Sequence, residues 1–155
     1  MSDSPERPRP VGVDRAVSDS PERPRVEHPN VVRVRELFAA FERRELPAIL
    51  ALVPEGAVWH FPGRRGALAG THVGREAVLR FLGDVARLTD GTFHLELEDV
   101  IANDHTAVAF FRGRGRRGER TLDNPTCLKL RLDDGSIAEV WEFVWDLEHV
   151  EEFWS

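Results

Sequence analysis

Two side chains in this 155-residue sequence combine proton-transfer chemistry with a position on a strand: Glu142 and His60. Glu142 lies in Val140-Trp141-Glu142-Phe143-Val144, a run of strand-forming residues. It follows the hairpin signal Asp133-Asp134-Gly135, which joins Cys127–Leu132 to Ile137–Trp145. If all three turn residues form the loop, with a glycine bulge, Leu132 pairs with Ser136 and Leu128 faces Val140. Leu128, Leu130, Val140, Glu142 and Val144 then share one face, apolar except for Glu142. A lone carboxylate in apolar surroundings has its pKa raised by desolvation, which suits a general acid or base near neutral pH. If the turn has two residues, the register slips by one and Glu142 points to solvent. Both registers stay open from the sequence. His60 is the second candidate acid/base, because an imidazole is the commonest general base. It sits between Trp59 and Phe61, so it faces away from any pocket that those two rings line.

The other polar candidates have structural readings beside them. Arg112 begins an Arg/Gly-rich stretch reaching Arg120, read as a strand end and hairpin tip, where a guanidinium can hold a ligand's anionic group. Asp146 either lines a pocket mouth at a strand end or caps the last helix. Asn124-Pro125-Thr126 is no glycosylation site, because Pro blocks the sequon. His72, His94, His105 and His149 show no metal-ligand spacing, and Cys127 is the only cysteine, so no metal is expected. The glycine-rich loop 63–74 contains no GK[ST] phosphate motif, and no cofactor is expected. The net charge of -6 opposes nucleic-acid binding. No apolar run is long enough to span a membrane, and no signal pattern opens the chain, so a cytoplasmic protein is expected.

Positioning these groups requires a core, and 41% hydrophobic residues supply enough for one domain. Residues 1–27 differ from the rest. The octet Ser2-Asp-Ser-Pro-Glu-Arg-Pro-Arg9 recurs as Ser18–Arg25, with few large apolar residues, and reads as a disordered tail. A domain over 28–155 begins with a helix near Pro29 or Asn30, whose stripe is Val31, Val34, Leu37, Phe38 and Phe41. A short helix over Leu46–Val53, a strand over Ala57–Phe61 and a third helix from Arg75 to Leu88 follow. Val78, Phe81, Leu82 and Val85 of that third helix face inward. Strands over Phe93–Glu98, His105–Arg114, Cys127–Leu132 and Ile137–Trp145 come next, then a last helix over Leu147–Trp154. Strands joined by hairpins with helices on one face give an α+β class.

The order of these elements resembles the nuclear transport factor 2-like (SnoaL-like) cone fold. The resemblance rests on Glu45-Leu46, Ile49–Val53 and Ala57-Val-Trp-His-Phe-Pro-Gly63. It continues in Leu68-Ala-Gly70, Gly74-Arg-Glu-Ala-Val-Leu-Arg-Phe81, Asp134-Gly-Ser-Ile-Ala-Glu-Val-Trp141, Asp146 and Phe153-Trp154. It implies a curved antiparallel sheet packed against about three helices around a small apolar pocket. The ketosteroid isomerase pattern in this superfamily fails here: Leu37 stands at its Tyr, Phe61 at its basic Asp, and Cys127 or Leu128 at its late Asp. The epoxide hydrolase relay lacks an Asp at alternate spacing from Arg112 and Arg114. The polyketide cyclase triplet, with a carboxylate after Trp, matches Val140-Trp141-Glu142, with Val in place of His.

The reading is a cofactor-independent isomerase, cyclase or dehydratase acting on a modest apolar molecule, with Glu142 as proton carrier and His60 or an Arg as helper. Leu37, Trp59, Phe61, Phe81, Arg112, Leu128, Val140, Val144 and Asp146 form the expected substrate surroundings. The rival reading is a non-catalytic domain that binds a small ligand or a protein. Trp141, Phe143 and Trp145, opposite Glu142, are expected either under the last helix or, as in many members of the resembled family, in a homodimer interface.

Overall fold

A computed structural model describes residues 26–155; both copies of the octet lie outside the described residues. Helix α1 (Pro29–Glu42) starts at His28, whose ring Nδ1 accepts a hydrogen bond from the Asn30 backbone at 3.1 Å. Asn30 itself lies in the first turn. Its buried side-chain amide donates to the carbonyls of Asn103 and Asp104 at 2.8 and 3.1 Å, fastening the helix start to a distant turn. Helix α2 (Leu46–Leu52) and strand β1 (Val58–Phe61) follow as expected.

The glycine-rich loop contains a strand that the sequence reading left out, β2 (Gly70–Val73), paired antiparallel with β1. Earlier in that loop, the backbone N–H groups of Arg64 and Arg65 donate to the Glu151 carboxylate at 2.7 and 3.2 Å. The loop does cradle an anion, but the anion is the chain's own. Helix α3 (Arg75–Leu88) buries Val78, Phe81 and Val85.

Strands β3 (His94–Ala102), β4 (Thr106–Arg117), β5 (Arg120–Asp133) and β6 (Ser136–Val144) form an antiparallel run, and α4 (Leu147–Trp154) ends the fold. The sheet order is β2-β1-β6-β5-β4-β3. The expected all-antiparallel sheet needs correction: β1 runs parallel to β6, so the sheet is mixed. Among the described residues, the four helices read from the sequence accompany it.

The Arg/Gly stretch also differs from expectation. It is not a loose tip but strand, with only Gly118 and Glu119 in the turn. Arg112, Arg114 and Arg116 alternate with Gly113 and Gly115, so the arginines face out and the glycines face in. The glycines leave room for Phe93: a Cβ at Gly115 would lie 3.3 Å from the Phe93 backbone, a tight contact.

The β5–β6 hairpin follows neither predicted register. Its turn is the two-residue Asp134-Gly135, both with positive φ, and Asp133 pairs with Ser136. Such a turn alone would send Glu142 outward. The pairing then shifts, with Leu132 opposite Ile137 and Arg131 opposite Glu139, leaving Ala138 as an extra residue. Ile137 and Ala138 are both buried at this bulge. The extra residue restores the alternation, and Leu128 comes to face Glu142.

Candidate functional site

The concave side of the sheet and the three helices α1, α3 and α4 enclose a cavity of about 70 Å³. Its walls are almost wholly apolar. Of the expected surroundings, Leu37 from α1, Trp59 and Phe61 from β1, Phe81 from α3, Leu128 from β5 and Val144 from β6 line it. Glu142 joins them. Rings meet at the β1 end, with Trp59 5.3 Å and Phe61 5.5 Å from Phe81, centre to centre. Phe38 and Phe111 pack edge to face at 5.2 Å elsewhere on the wall.

Trp59 Nε1 donates to Glu142 Oε2 at 3.2 Å, and Oε1 has no hydrogen-bond partner among the described residues. Some of the Glu142 surface remains exposed, because the residue forms part of the cavity wall, yet protein surrounds its carboxyl. Burial pushes that carboxyl up to about 7, and the Trp59 hydrogen bond pulls weakly the other way. Among the described lining residues it is the only Asp, Glu, His, Lys or Arg.

The strand alternation that brings Glu142 inside takes His60 out. His60 lies on the opposite face of the sheet, between Thr71 Oγ1 at 3.0 Å and Glu139 Oε1 at 2.8 Å, stacked on Trp141. It cannot assist Glu142 from there. Arg112 is also outside the cavity, paired at 2.6 Å with Asp123 on the neighbouring strand. An Arg–Asp pair across adjacent strands therefore exists, but on the solvent side. Arg114 bonds Glu96, while Arg117 and Arg120 donate to carbonyls at the end of α4, so these guanidiniums are held by groups of the chain itself. Asp146 caps α4, accepting from the His149 backbone at 3.0 Å. Val140 is buried beside Leu130 in the core and does not reach the cavity wall.

The sequence reading missed Asn124 and Thr126, two buried polar residues on the wall. Their signal was the alternation Leu122, Asn124, Thr126, Leu128, which is inward throughout, but the predicted strand began only at Cys127. Pro125 between them argues against a central strand. Here its carbonyl accepts from Trp145 N at 3.1 Å, on the β6 side. A strand residue's N and O point the same way, so the missing N–H falls past the end of β6 and no β4 bond is lost.

Cys127 faces outward, and burial pushes its thiol up, away from nucleophile chemistry. No group of three or more His, Cys, Asp or Glu among the described residues is placed to hold a metal ion. No described helix is long and apolar enough to cross a membrane.

Comparisons with known proteins agree with this architecture. The SnoaL-like domain family model matches residues 34–140. Uncharacterized proteins of Mycobacterium bovis and Mycobacterium tuberculosis are 35% identical over 123 residues, which is 79% of this chain and 93% of theirs. Bal32a, from a soil-derived mobile gene cassette, is 33% identical with a TM-score of 0.79, covering 82% of this chain and 97% of its own. A SnoaL-like protein from Jannaschia is 19% identical with a TM-score of 0.69, covering 88% of this chain and 98% of its own, and shares the fold. By the breadth of these matches and by its architecture, the chain belongs to the SnoaL-like domain family.

Proposed function

We propose that the protein is a cofactor-independent acid/base enzyme of the isomerase, cyclase or dehydratase type, acting on an apolar carbonyl compound in the cavity. The supporting observation is Glu142: one carboxyl in an apolar enclosure, held by Trp59 through Oε2, with its pKa raised to about 7. At neutral pH such a group is divided between its two forms, so it both accepts and returns a proton. Oε1 takes a proton from carbon next to a carbonyl, the C–H electron pair moves into an enolate, and the protonated carboxyl delivers the proton elsewhere on the same molecule. Return to another carbon is isomerisation. Delivery to a departing hydroxyl is dehydration. Attack of the enolate carbon on a second carbonyl of the same molecule, whose oxygen takes the C=O electron pair and then the proton from Glu142, is cyclisation.

The lining also restricts the substrate. Among the described residues it contains no cation to stabilise an enolate oxygen, and the Trp59 N–H is already engaged. The substrate must bring its own activation, as a C–H flanked by two carbonyls or by a carbonyl and an aromatic ring does. The test is deuterium uptake at C1 of 2-tetralone, a position both benzylic and next to the carbonyl. Wild-type protein should accelerate it and Glu142→Gln should not, with the far-ultraviolet spectrum unchanged. Equal rates for the two proteins would remove the enzyme reading.

A second reading, a non-catalytic ligand-binding domain, draws on one specific observation: Glu142 has no second titratable group beside it in the cavity. Catalysis commonly uses more than one placed group. The same pair separates the readings, since a binding protein holds the ketone without exchange. We also propose a homodimer. Phe143 is 55% and Trp145 85% exposed, so neither lies under α4, and Phe110 and Ile101 extend the apolar outer face. Light scattering should give the mass of two chains; a monomer overturns this.

A further inference from the structure

Four polar or charged residues are buried among those described: Asn30, Thr89, Asn124 and Thr126. Two have structural tasks. Asn30 bonds backbone carbonyls, and Thr89 Oγ1 donates to the Val85 carbonyl at 2.8 Å. The other two stand on the cavity wall. Asn124 is 4% exposed, and its Oδ1 is the one buried side-chain nitrogen or oxygen among the described residues without a hydrogen-bond partner. Native proteins seldom leave such an atom unsatisfied, because a buried acceptor without a donor is destabilising.

The orientation of this amide is set by its neighbour. Asn124 Nδ2 donates to Thr126 Oγ1 at 2.7 Å, and that hydroxyl donates to the Asn124 carbonyl at 3.4 Å. One Nδ2 hydrogen is thereby used, and Oδ1, which can only accept, is left without a partner. Asn124 and Leu128 are four residues apart on β5, about 13 Å along the strand. Leu128 lies directly opposite Glu142. The cavity thus has two polar places on a long apolar wall, one at Glu142 and one at the Asn124–Thr126 pair.

We propose that Asn124, oriented by Thr126, accepts a hydrogen bond from a hydroxyl or N–H on the substrate, at the end remote from the acidic C–H. The inference rests on the cavity being the substrate site and refines the substrate class: elongated, neutral and apolar along its length, with a donor at the far end. An anionic tail is disfavoured, since no cation lines the wall and an acceptor repels a carboxylate or phosphate. A hydrogen-bonding position of this kind discriminates strongly, because a ligand without the hydroxyl leaves Oδ1 unpaired.

The test uses 6-(4-hydroxyphenyl)-2-tetralone and 6-phenyl-2-tetralone, which differ only in the terminal hydroxyl. Binding is measured by titration calorimetry on wild type, Asn124→Leu and Glu142→Gln. Wild type should bind the hydroxylated probe at least about tenfold more tightly. Asn124→Leu should reduce that preference to within about twofold, while Glu142→Gln should keep it. Equal wild-type affinities, including no measurable binding of either probe, overturn the proposal without needing a folded variant. A preference that survives Asn124→Leu overturns it as well. Because affinity rather than exchange is read, a failure of Glu142 as a base leaves this result separately interpretable.

Discussion

Glu139 and Glu142 sit three residues apart on one strand and have opposite electrostatic fates. Glu139 is on the outer face, hydrogen-bonded to His60 and reached by Arg131 at 3.5 Å, and these partners hold its carboxyl below the usual range. Glu142 is on the inner face with one neutral donor, and burial lifts it to about 7. The same side chain is an ion-pair member on one face and a candidate proton carrier on the other. The difference lies in water and partners, and the outer pair shows that polar company alone does not make a catalytic carboxylate.

The largest way to break this contrast is in turnover. Glu142→Gln should slow 2-tetralone exchange by about 10²-fold or more, while Glu139→Gln should change it by less than about twofold, measured by proton NMR in deuterium oxide. Comparable losses in both would show that the faces are not functionally distinct.

The next effect is on stability. The Glu142 pKa is higher in the folded state than in the unfolded chain, so the folded state holds an extra proton between pH 4.5 and about 7. Its stabilising contribution is full below that window and is lost as pH rises through about 7. Urea denaturation should therefore show up to about 3 kcal/mol lost across the window, and Glu142→Gln should flatten the slope. Glu139 has the reverse sign: its contribution is present above the unfolded pKa and lost as pH falls through the lowered folded value.

A comparable inside–outside contrast on β4 predicts a cost of about 1–3 kcal/mol for Gly115→Ala, which presses on Phe93. The outward Arg116→Ala should cost less than about 0.5 kcal/mol, both read from urea midpoints. The smallest effect is a shift in titration. Trp59→Phe removes the donor that favours the charged carboxylate, so the Glu142 pKa should rise above about 7 in a carbon-13 carboxyl titration.

Much of the scaffold was legible because its signals are local. The stripes of α1 and α3, the Asp146 cap and the apolar alternation of β6 each follow from residues within a few positions. β2 was hidden because Gly-Thr-His-Val is short and mostly exposed, with no buried alternation to read. The parallel β1–β6 pairing joins strands far apart in sequence and leaves no turn signal. His60 was readable only as a conditional: once Trp59 faces the cavity, His60 must face away. Asn124 and Thr126 stayed hidden because polar residues around a proline read as loop, although the strand runs through them.

The bulge at Ala138 carries a consequence for how this site changes over generations. Losing the Ala138 codon would remove the bulge without changing the partners: Leu132 would still face Ile137, Arg131 would face Glu139, and Leu128 would face Glu142. Glu142 would stay on the cavity face. Regular pairing with Ala138 retained is what would set Glu142 opposite the outward Cys127 and turn Trp141 and Phe143 inward. Related sequences without the extra residue can thus keep a glutamate in the same role across a one-residue gap.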